Sequence, residues 1–143
     1  MKLSEIQISY NYSNSNIKLT NSRSVFNLLL ENWNHDTIQL LEEFKVLLLN
    51  RNNIVLGIYQ VSKGGIAGTV VDPKLIFGVA LKTVASSIIL AHNHPSGNLK
   101  PSPEDIRITK KLVEAGKVLD IQVLDHLIIT DIGYYSFADE ALL

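Results

Sequence analysis

The chain has 143 residues, a length that encloses one hydrophobic core, and its 46% apolar and 19% charged residues lie outside the regime of disordered chains. Its 13 basic and 14 acidic side chains leave a net charge of −1, so no overall field draws the molecule onto nucleic acid or an anionic membrane. Cysteine is absent, which excludes disulfides, thiolate metal sites and a cysteine nucleophile, and any metal has to be held by His, Asp or Glu.

From the N-terminus, Met1-Lys2-Leu3-Ser4-Glu5 lacks the apolar core of a signal peptide and no window reaches the length of a membrane span, so a cytoplasmic protein is expected. Residues 3–10 alternate polar and apolar side chains, which predicts a strand, and an Asn/Ser-rich loop follows. Ser22 or Ser24 is placed to cap a helix in which Phe26, Leu29, Leu30 and Trp33 share a face. Apolar runs over 44–49 and 54–61 flank a polar turn of hairpin length and predict an antiparallel pair. A glycine-rich stretch including Gly64, Gly65 and Gly68 leads to Asp72-Pro73, which opens a helix ending near Val84. A buried strand over 87–91 comes next, then a proline-containing loop over 92–101. Ser102-Pro103 starts another helix running to about Leu119, with Arg107, Lys110, Lys111 and Lys117 on a solvated face. Residues 121–130 are β-like, and Tyr134-Tyr135-Ser136-Phe137 closes the domain. The element order predicts an α/β fold, a mixed sheet between helices on both faces, in one domain spanning 1–143.

The chemistry concentrates in His92-Asn93-His94-Pro95-Ser96-Gly97-Asn98-Leu99-Lys100-Pro101-Ser102-Pro103-Glu104-Asp105. His92 and His94, two apart at a strand end, project from one face, and Asp105 in the first turn of the next helix lies at the same end of that strand. Two His and one Asp suit Zn²⁺ and leave a fourth tetrahedral position open to water. Each half has a plainer reading: a His at a strand end is commonly a hydrogen-bonded structural residue, and Ser102-x-x-Asp105 is close to a simple capping box. Both halves together, at this spacing, favour metal.

His92-x-His94, seven residues, then Ser102-x-x-Asp105 resembles in full the metal-binding motif of the JAMM (MPN+) metallopeptidase superfamily. His-Asn-His-Pro-Ser-Gly followed by Pro-Ser-x-x-Asp is similar to the RadC-type JAB domain in particular. The likeness extends over about residues 40–137, through Glu42-Glu43-Phe44, Gly68-Thr69, Pro73, Ala80, Leu124-Asp125-His126 and Tyr135-Ser136-Phe137. It implies a three-layer α-β-α, cytidine-deaminase-like fold. It implies one Zn²⁺ per chain held by His92, His94 and Asp105, with Ser102 stabilising an oxyanion and an upstream Glu as general acid/base. Glu42 is the choice, because the resemblance implies a Glu two positions before the strand Phe, here Phe44, and on a strand Glu42 shares a face with Phe44 and Val46 while Glu43 points the other way; Glu43 is the fallback. The implied reaction is hydrolysis of a peptide or isopeptide amide bond.

Other features are weaker. Asp125-His126 reads as a buried pair bracing the site from the last main strand, and His35 sits in a polar turn. An HNH nuclease spreads its residues over a ββα unit, zinc deaminases need cysteines this chain lacks, and no phosphate-loop sequence is present. A metal-bearing scaffold without turnover and a DNA-repair association are the competing functions. The residues before Glu42 are too few for the helix-hairpin-helix region of longer family members, so DNA contact is unsupported. A peptide or protein substrate is the expected partner, and a homodimer through the N-terminal strand or the pair flanking Asn50 is conceivable.

Overall fold

The computed structural model describes residues 1–11, 13, 16–65 and 69–143. Helix α1 (Ser22–Glu31) is followed by the antiparallel strands β1 (Glu43–Leu49) and β2 (Val55–Lys63), helix α2 (Pro73–Lys82), strand β3 (Ser87–Asn93), helix α3 (Pro103–Val118) and strands β4 (Gln122–Ile129) and β5 (Tyr134–Ser136). The five-stranded sheet has the order β2-β1-β3-β4-β5, and β3 with β4, joined through α3, is its parallel pair.

Alternation along the central strands sorts the core into two layers. Phe44, Val46, Leu48, Ile88 and Leu90 pack with Ile76, Phe77 and Ala80 of α2 and Ile108 and Leu112 of α3. Leu47, Leu49, Ile89 and Ala91 pack with Val25, Phe26 and Leu29 of α1. Because helices cover both faces, every residue of β1 and β3 is buried, and each large apolar side chain so placed contributes about 1.5–3 kcal/mol. The three-layer α-β-α arrangement follows as expected. Gly116 of α3 lets the chain leaving the helix fold back closely on it: a Cβ there would run into the carbonyl oxygen of Ile121, whose N–H donates to Gly116 O at 2.8 Å.

Local chemistry sets the element ends. The carboxamide of Asn50 accepts the N–H groups of Asn52 (2.9 Å) and Ile54 (3.0 Å), closing the β1–β2 turn. Asp72 caps α2 by accepting Lys74 N–H at 2.9 Å, with Pro73 at the first helical position. The cap of α1 is Asn21 rather than Ser22 or Ser24. Its Oδ1 accepts Ser24 N–H at 2.8 Å, and Ser24 Oγ accepts Asn21 N–H at 3.2 Å, a reciprocal box in which Ser24 is the third helical residue.

The N-terminal strand expected over 3–10 does not form. Leu3, Ile6 and Ile8 are exposed (81%, 84% and 60%), and alternation alone makes no strand where the backbone joins no ladder. Tyr10, whose hydroxyl donates to Leu56 O at 2.8 Å, ties the end of this segment to β2. Gly68 of the glycine-rich stretch lies outside the described residues.

Candidate metal centre

The C-terminal ends of β1's partner β3 and of β4 meet the N-terminus of α3, and the motif residues gather there. His92 is the penultimate residue of β3, on the α3 face, and His94 follows the strand. Their Nε2 atoms are 3.0 Å apart. Asp105, in the first turn of α3, brings Oδ1 to 3.3 Å from His92 Nε2 and Oδ2 to 3.2 Å from His94 Nε2. The same Oδ2 accepts Ser102 N–H at 2.8 Å, while Ser102 Oγ accepts Asp105 N–H at 3.0 Å. The capping box anticipated as the plainer reading is therefore present together with the carboxylate's approach to both rings. The proton of the Ser102 hydroxyl has no acceptor among the described residues.

Glu42 also arrives at this site. One of its carboxylate oxygens and ring nitrogens of His92 and His94 lie within 4.8 Å of one another. Phe44 stands opposite His92 in the β1–β3 ladder, so the residue two before it falls on the same face. Backbone bonds to the β2 side hold it, Gly64 N–H to Glu42 O at 2.9 Å and Glu42 N–H to Gly65 O at 3.4 Å. Glu43 points into the α1 layer at 3% exposure, and its Oε2 has no hydrogen-bond partner among the described residues. Geometry therefore brings Glu42, not Glu43, to the histidines.

The hydrogen-bond directions decide which ring nitrogens carry protons. Asp105 O is an acceptor only, and it takes the Thr109 hydroxyl proton at 2.6 Å. Thr109 Oγ1 must then accept from His126 Nδ1–H, also at 2.6 Å. Burial, first, and the neighbouring His92 hold the His126 pKa well below the imidazole range, so this ring is neutral and its Nε2 is bare. That atom accepts His92 Nδ1–H at 2.8 Å, so the Nε2 of a neutral His92 carries the lone pair. His94 Nδ1–H donates to Asn98 O at 2.6 Å, so in the neutral ring its Nε2 carries the lone pair as well. With both rings neutral, two lone pairs and a carboxylate thus converge within 3.3 Å.

A cation resolves this convergence, and two imidazoles with one carboxylate form a set that suits Zn²⁺. Without a metal, a proton is the available cation. Burial opposes charge on His94, but the hydrogen bond and charge of Asp105 outweigh it and raise the His94 pKa. Burial likewise works to raise the Asp105 carboxyl, yet its bonds to His92 and His94 prevail and hold it well below the usual carboxylate range.

Aromatic rings fix the imidazoles. Phe44 stacks on His92 with centroids 5.8 Å apart, and Phe137 stacks on His126 at 4.8 Å. His126 and Thr109 were not singled out as site residues by sequence reasoning, although Asp125-His126 was read as one bracing pair. The structure divides that pair. His126 faces the site, whereas Asp125 faces the α1 layer, where its carboxylate accepts from Ser136 Oγ (2.6 Å), His126 N–H (2.7 Å) and Ala138 N–H (2.9 Å). Adjacent strand residues point oppositely, so alternation was the available signal.

A cleft of about 190 Å³ opens beside the site, lined by Glu42, His92 and Asp105 with apolar Phe44, Val71 and Ile108. A larger cavity of about 810 Å³ lies at the other end of the sheet, around Ser87 and Gln122, away from these groups. The basic helix residue Arg107 is engaged by Glu104, with its Nε 2.8 Å from Glu104 Oε2. Among the described residues no helix is long and apolar enough to cross a membrane.

A family model described as the RadC-like JAB domain matches residues 19–142. A UPF0758 protein of Flavobacterium johnsoniae is 56% identical over 101 residues, covering 71% of this chain and 44% of that protein. A UPF0758 protein of Symbiobacterium thermophilum is 44% identical over 127 residues, covering 89% of this chain and 53% of that protein. The chain thus spans about half the length of these curated relatives.

Proposed function

This chain belongs to the RadC-like JAB domain family, and from that premise and the geometry of the site we propose that it is a zinc-dependent hydrolase cleaving a peptide or isopeptide amide bond. The observation that carries the reading is the hydrogen-bond chain from Asp105 O through Thr109, His126 and His92, which turns Nε2, the lone-pair nitrogen of a neutral His92, toward His94 and Asp105. His92, His94 and Asp105 would hold the ion. When bound, Zn²⁺ supplies a water with a pKa of about 7 and polarises a substrate carbonyl.

The remaining roles fall to the protein's own groups. Glu42 accepts the proton that the attacking water loses and delivers it to the departing amine. Ser102 donates its otherwise uncommitted hydroxyl proton to the oxyanion that develops on the former carbonyl oxygen. Apolar side chains of the adjoining cleft, Phe44, Val71 and Ile108, seat a substrate side chain next to the scissile bond. The substrate is a peptide or protein.

Elemental analysis tests the ligand set, on protein purified without added metal or a metal-binding tag. The expected result is one zinc per chain, lost in Asp105→Ala and kept in Glu42→Ala. Wild-type protein that carries no metal and takes none from added zinc refutes the proposal. Ser102 and Asp105 are then a helix cap only.

A further inference from the structure

Asn93 stands between the two histidines and takes no part in the chemistry above. Strand alternation turns it to the α1 layer, away from the ring nitrogens, where it is fully buried (0%). A buried carboxamide has to satisfy its donors and acceptor, and this one does so entirely on one segment of chain. Its Nδ2 donates to Ile38 O at 2.7 Å and Leu41 O at 2.8 Å, and its Oδ1 accepts Glu43 N–H at 2.7 Å. The last two partners are the immediate neighbours of Glu42. The β1–β3 backbone ladder stops at the pair Phe44 and His92, so one step further the Asn93 side chain replaces the backbone as the link. No hydrogen bond or ion pair fixes the Glu42 carboxylate itself among the described residues, so its place beside His92 and His94 depends on how this segment is held.

We infer that Asn93 is a positioning residue, which locks residues 38–43 to the strand carrying His92 and thereby holds the Glu42 carboxylate at the metal centre. The inference rests on the proposed metal site and on Glu42 as the proton carrier. It separates two functions that the motif places side by side: the flanking histidines bind the ion, and the asparagine between them sets the base.

The test uses Co²⁺ in place of zinc in the purified chain, with visible absorption recorded against pH and Co²⁺ affinity measured in parallel. In Glu42→Gln, removal of a neighbouring negative charge shifts the pH midpoint of the spectrum down by about one unit. Asn93→Ala and the smaller hydrogen-bonding change Asn93→Ser are expected to shift the midpoint in the same direction while keeping Co²⁺ affinity. In the double variant Asn93→Ala/Glu42→Gln the midpoint goes no further than in Glu42→Gln alone. Circular-dichroism melting identifies whichever Asn93 variant is folded, and that variant is the one read. A midpoint that stays at the wild-type value in a folded Asn93 variant, while Glu42→Gln shifts it, overturns this inference alone. So does a shift that adds in full to that of Glu42→Gln, or a loss of Co²⁺ affinity matching that of Asp105→Ala, since either marks a general structural role. If Glu42→Gln itself leaves the midpoint unchanged, the assignment of Glu42 falls and the present inference falls with it.

Discussion

Replacing His126 by Phe tests the reasoning about the histidine tautomers most directly. Phenylalanine keeps a flat ring against Phe137 but removes the acceptor for His92 Nδ1–H. His92 is 2% exposed, so bulk water does not replace that acceptor, and an orphaned buried N–H costs about 1–3 kcal/mol. The ring escapes this cost by moving its proton to Nε2, where Asp105 accepts it. A metal ion then has to reverse the transfer before it can bind. Its affinity is expected to fall by the same ~1–3 kcal/mol, about 5–150-fold, which brackets the usual effect of removing a group that orients a ligand. Competition against a chromophoric chelator at neutral pH measures the affinity, and ¹⁵N-detected NMR of the imidazoles reports the tautomer. Unchanged zinc affinity in folded His126→Phe, or a His92 that keeps its proton on Nδ1 in the metal-free variant, would refute the argument.

Three further outcomes follow from the same geometry. The raised His94 pKa means that, in metal-free protein, the proton's contribution to stability is complete below the ordinary imidazole value and is lost as pH rises through the raised one. Thermal melts across that window should show metal-free stability falling and the increment from added zinc growing; a zinc increment independent of pH would contradict it. Ser102→Ala removes the acceptor for Asp105 N–H and should cost about 1 kcal/mol of stability by denaturant titration while zinc content is retained. Gly116→Ala forces a methyl group against the Ile121 carbonyl and should destabilise the fold by about 1–3 kcal/mol, read as a lower urea midpoint, although alanine is the better helix former.

Much of this architecture was legible because its signals are local. Pro103 after Ser102 marks the start of α3, the polar turn at Asn50 marks the hairpin, and a two-residue step along β3 places His92 and His94 on one face. The same parity separated Glu42 from Glu43 without coordinates. Residues 3–10 carry an equally clear alternation, yet a strand also needs a partner edge, and that is not written in the segment itself. The role of His126 was hidden for a related reason. It depends on the parallel register that sets Leu90 opposite His126, together with the irregularity between Ile88 and Ile89. The part played by Asn93 was hidden in the same way, because its partners, Ile38, Leu41 and Glu43, are about fifty residues away in the chain.

The complete burial of β1 and β3 has a consequence for how such a domain can diversify. With side chains packed on both faces, these strands tolerate few substitutions of different volume, so the base of the metal centre is mechanically fixed. The cleft beside it is under no such constraint: Val70, part of its lining, is 86% exposed. Changes at Val70 can therefore alter what the cleft admits without moving His92, His94 or Asp105. On the proposed function, selectivity and reactivity then rest on separate parts of the sequence, and one can drift while the other stands still.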